Sequence, residues 1–143
     1  MFAPSQHDVR RFFCDADRKR RLGEPLAPIE ALAVDWIAEH PEYHADLSDL
    51  DAALVRSYAV EDGGTNPFLH LAMHLSISEQ LAIDQPQGIR AAFERLAARK
   101  GSEHAAHHEL MECLGEMLWA SQRGGQPPDG DAYLDCVRRR ATT

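Results

Sequence analysis

The chain has 143 residues, a net charge of −8, 44% apolar and 27% charged residues. That balance is globular, and the length matches one domain that can bury a core without disulfides. The acidic excess disfavours nucleic-acid and anionic-membrane partners, and no apolar stretch approaches the ~20 residues needed to span a bilayer.

The first predicted helix covers about 6–21. Ser5 and Asp8 have the spacing of a capping pair, and Val9, Phe12, Phe13 and Ala16 recur at helical intervals before Gly23 and Pro25. A second helix runs from Pro28 to about Glu39, with Ile29, Leu32, Ala33, Trp36 and Ile37 forming its apolar stripe. Segment 41–66 is less regular. Ser48 and Asp51 suggest the cap of a short helix, Asp62-Gly63-Gly64 a turn, and Tyr58-Ala59-Val60 is the one faint strand candidate.

Asn66-Pro67 starts a helix from Phe68 to Ile83 that is apolar almost all round, as expected of a central, buried element. Gln85-Pro86 starts the next, closed by Gly101. Ser102 caps another that runs to about residue 122, and Asp129 caps a last one over 130–139. Residues 84–90 form a distinctive turn, with a helix cap and Arg90 as a tether. The expected fold is therefore all-α: one domain over 1–143, a bundle of about four main helices plus short accessory ones.

The basic runs Arg18–Arg21 and Arg138–Arg140 sit near helix C-termini, where cations complement the helix dipole. Cys14, Cys113 and Cys136 are odd in number and widely spaced. They predict no disulfide framework and no Cys-x-x-Cys motif, with Cys113 a buried structural thiol. The opening residues lack an apolar signal core, so a reducing cytoplasm is the expected location.

Eight histidines are the outlier in the composition. Seven fall in three clusters: His40 and His44; His70 and His74; His104, His107 and His108. Residues four apart share one helix face, so His70 and His74 project together, and His104, His108 and Glu112 make a row. Short loops near 84 and 101 make successive helices antiparallel. The helices starting at 67 and 103 then run the same way, and the two histidine pairs differ in height by only ~3 Å. His40 and His44 hang from the C-terminus of the second helix, beside His70 and His74 if that helix runs antiparallel to the one starting at 67. Neutral imidazole is a common metal ligand, and helical bundles build metal sites from facing side chains. The expected ligands are His40, His44, His70, His74, His104, His108 and Glu112, holding one or two divalent ions, zinc or iron. His107 points nearer the centre of the apolar face and reads as core or rim.

The alternative is a metal-free adaptor or regulatory module. Its histidines would form a polar network, with Trp36 or Trp119 facing a protein partner or a second copy of the chain.

Several stretches together resemble a small family of uncharacterised bacterial proteins, catalogued as a domain of unknown function. They are Met1-Phe2 with Asp8–Phe12, HPEYH at 40–44, NPFLHLAMH at 66–74, EQLAIDQPQGIR at 79–90, MECLGEMLW at 111–119, and Gln122-Arg123. The resemblance implies a short helical protein of the bacterial cytoplasm and no particular activity. The spacings of His70/His74 and His108/Glu112 are also similar to those of haemerythrin-type bundles, although the chain order differs and the His-x-x-x-x-Asp element is absent.

Overall fold

The computed structural model describes residues 5–58 and 66–142, and the described residues form eight α-helices and no strand. These are α1 (Gln6–Leu22), α2 (Pro28–Ala38), α3 (His44–Leu47), α4 (Leu50–Val55), α5 (Pro67–Ile83), α6 (Ile89–Lys100), α7 (Glu103–Gly124) and α8 (Gly130–Thr142). A short 3-10 turn, Pro41–Tyr43, links α2 to α3. The all-α expectation is met. Residues 59 and 60 of the strand candidate, the turn at 62–64 and the opening Met1-Phe2 lie outside the described residues.

The chain divides into two compact units, residues 1–75 and 76–143, with the boundary inside α5. In the first, α1 packs on α2, α3 and α4. Phe13, Ile37, Leu47, Phe68 and Leu71 are buried at its centre. Arg10 is buried with them. Its guanidinium donates to the Ala53 carbonyl at 2.8 Å and the Arg56 carbonyl at 2.7 Å, satisfying acceptors that the end of α4 leaves open. In the second unit, α6, α7 and α8 pack pairwise. Ile89, Leu96, Leu110, Tyr133 and Val137 are buried there, and the Tyr133 hydroxyl donates to Gln80 at 2.7 Å.

Local chemistry sets the helix ends. Ser5 and Asp8 form a reciprocal capping box, each side chain accepting the other's backbone N–H at 3.1 Å. Asn66 Oδ1 accepts from Phe68 and Leu69, Ser102 from Ala105, and Asp129 from Asp131 and Ala132. Gly23, Gly101 and Gly125 close α1, α6 and α7 in the left-handed conformation. The basic residues at the end of α1 are held by acids: Arg20 and Arg21 by buried Asp17, and Lys19 by Glu30.

Four expectations need correction. The cap of α4 is Asp49, not Ser48. Asp49 accepts from Ala52 N–H, while the Ser48 hydroxyl donates back to the Ala45 carbonyl. Helix α6 begins at Ile89 rather than Pro86, because the Asp84 carboxylate gathers the N–H groups of Gly88 and Arg90 into a turn first. Arg90 tethers that turn by donating to the Leu81 and Ala82 carbonyls. Helix α5 is not buried all round: Leu69, Ser76, Glu79 and Ile83, spaced seven, three and four apart, form one exposed line. Finally, Cys113 and Cys136 are joined by a disulfide, with Cα atoms 5.8 Å apart. The packing of α7 on α8 creates this proximity, which a sequence separation of 23 residues does not reveal.

Candidate functional site

In the first unit, three histidines meet where the end of α2 faces the first turns of α5. Their ring centroids are 4.8 Å apart for His40–His70, 4.9 Å for His40–His74 and 4.8 Å for His70–His74. His40 and His74 are buried, at 3% and 0% exposure, so water cannot readily solvate an ion held between them. The sequence places His70 and His74 one helical turn apart. The end of α2, where the His40 N–H donates to the Ile37 carbonyl, brings His40 to them.

The hydrogen bonds assign the tautomers. His40 Nδ1 lies 2.8 Å from the Trp36 carbonyl, which can only accept, so the His40 proton is on Nδ1 and its lone pair is on Nε2. That lone pair faces His70 Nε2 at 3.1 Å, so His70 is the donor in this pair. A carbonyl behind one ring nitrogen is the usual means of orienting an imidazole to offer the other nitrogen to a metal. Trp36 also stacks on His74, and Tyr43 stacks on His40 with centroids 5.2 Å apart. The sequence reads Trp36 as an apolar or interface anchor and not as a support for histidines. Its four-residue spacing from His40 is the signal for its second role.

His44 does not join these rings through Nε2, which donates to the Ile37 carbonyl at 3.3 Å.

In the second unit, His104 and His108 stand one turn apart at the start of α7, with ring centroids 4.5 Å apart. His104 is half-buried and His108 exposed. His40 with His74, and His104 with His108, are the histidine pairs suited to metal binding. Within each pair, the ring nitrogens offered lie within 4.8 Å of each other. The chain therefore carries grouped histidines, including the buried His40 and His74, that could bind a metal.

Glu112, the remaining expected ligand on α7, is not among these groups. Glu112 is mostly exposed, and its carboxylate is bound by Arg140 at 2.7 Å, in a network that also holds Glu109 and Glu116. An ion at Glu112 would compete with the Arg140 guanidinium. His107 is core, as expected: it sits edge-on to Phe93 with centroids 5.3 Å apart. Burial pushes its pKa down to about 4, with the neighbouring His104 and His108 adding to the effect.

Comparison with curated proteins and comparison with solved structures each return no match. No helix among the described residues is long and apolar enough to cross a membrane. One family model does match, over residues 5–139, and by that match the chain belongs to the family described as a domain of unknown function, DUF1841.

Proposed function

We propose that this protein binds a divalent metal, zinc or iron, through the imidazoles of His40, His74, His104 and His108. The observation that carries the reading is the orientation of His40. Its Nδ1–H is committed to the Trp36 carbonyl, which turns the Nε2 lone pair toward the His70–His74 rings in a buried setting. An all-imidazole donor set suits zinc and the later first-row metals, and ferrous iron as well.

Sharing of one ion by the two pairs rests on the sequence argument above. On the sequence, helices of equal direction are expected, with His70/His74 and His104/His108 at nearly the same height. His70 and His44 are then candidates for a second ion or for hydrogen bonds to the first set. Three or four imidazoles with an open position would make the ion a Lewis acid or a redox centre.

The test is elemental analysis of protein purified without a His tag, before and after chelation, with thermal melts on both samples. Stoichiometric metal whose removal lowers Tm supports the reading. An absence of metal, with no effect of added zinc or ferrous iron on the melt, overturns it and favours the metal-free module. Two double variants, His40→Ala/His74→Ala and His104→Ala/His108→Ala, examine the sharing. If both abolish binding, one ion is shared; if each removes only part, each pair binds its own.

A further inference from the structure

The second unit contains a feature that the metal reading leaves unused. A cavity of about 320 Å³ lies between α7 and α8, and both cysteines of the Cys113–Cys136 disulfide are among its lining residues. Glu116 lines the same cavity, and its Oε2 is 3.6 Å from Cys136 Sγ. Arg139 lines it as well. The disulfide is almost inaccessible to bulk solvent, at 1% exposure for Cys113 and 6% for Cys136, and this cavity is an opening that both residues line. The third cysteine, Cys14, is enclosed in the core of the first unit, where burial pushes its pKa up to about 11. Enclosure and the raised pKa both disfavour its reaction at neutral pH.

We propose that Cys113 and Cys136 are a reversible thiol–disulfide exchange site served by a low-molecular-weight thiol that enters this cavity. The thiol reaches the more exposed sulfur, Cys136. The incoming thiol gives its proton to water and attacks as the thiolate. The new sulfur–sulfur bond forms at Cys136 as the bond to Cys113 breaks, and the Cys113 thiolate leaves with the electron pair and is protonated by water. A second molecule of the thiol attacks the mixed disulfide and releases the small disulfide. Two thiols are thereby oxidised and the protein disulfide is reduced to two thiols. The reverse sequence, with the small disulfide as oxidant, restores the bond.

This site involves none of the histidines, so it stands or falls apart from metal binding. The test uses the folded full-length chain and reduced glutathione as probe, with acid quench, alkylation in denaturant and mass spectrometry. Thiols per chain should rise from one to three under native conditions, through a glutathione adduct on Cys136. Ala132→Trp places a bulky ring in the cavity, one helical turn before Cys136, and should slow native exchange about tenfold or more. Its rate in denaturant should be unchanged. In Cys113→Ser, oxidised glutathione should modify Cys136 and leave Cys14 untouched. Three outcomes overturn the proposal: a bond reduced no faster than the protein globally unfolds; Ala132→Trp exchanging as fast as the parent; or failure of the disulfide to form from the reduced protein with oxidised glutathione.

Discussion

The indole of Trp36 lies flat on the imidazole of His74, with ring centroids 4.0 Å apart and planes 11° from parallel. The same residue's carbonyl binds His40 Nδ1. One side chain and its own peptide group thus support two of the four proposed ligands, so Trp36 should report directly on an ion.

With Trp119 replaced by phenylalanine, Trp36 is the sole tryptophan. Nickel or cobalt added to that variant should quench its emission in proportion to occupancy, and a chelator should restore it. Unchanged emission while metal binds stoichiometrically would place the ion away from His74.

His70 donates to the nitrogen of His40 that the proposal assigns to the metal, so it competes with the ion. His70→Ala should bind zinc no more weakly than the parent, whereas His40→Ala should lose affinity by on the order of a hundredfold or more. Titration against a chromophoric chelator measures both. A loss in His70→Ala equal to that in His40→Ala would make His70 a ligand.

Glu112 is bound by Arg140 at an exposed position. Glu112→Gln should leave the metal content unchanged and cost less than about 1 kcal/mol, as is usual for a surface ion pair. Elemental analysis and urea denaturation check the two halves of this expectation. Loss of metal in Glu112→Gln would restore the carboxylate to the ligand set.

His107 makes stability depend on pH. Its folded pKa of about 4 lies below the model value of 6.5, so the folded protein binds this proton less readily than the unfolded chain. Its contribution is therefore fully present above pH 6.5 and is lost as the pH falls toward 4, amounting to on the order of 3 kcal/mol across that window. His107→Leu has no such proton to gain. In chelator-treated protein, the difference in unfolding free energy between pH 7 and pH 4.5 should be smaller in the variant by roughly 2–3 kcal/mol. Parallel pH curves would refute this account.

Features held within a few residues were legible before any coordinates. Caps such as Ser5 with Asp8, Asn66 and Asp129 act over two or three residues, so a local pattern specifies them. The pairs His70/His74 and His104/His108 follow from helical periodicity alone, as does the spacing of Trp36 from His40. Tertiary packing decided the rest, because long-range proximity leaves no periodic trace. It decided that His40 reaches His70, which the sequence supports only as a conditional expectation, set Cys113 beside Cys136, and gave Glu112 to an arginine 28 residues further along. It also exposed one line of α5, since an apolar composition does not say which faces of a helix find neighbours.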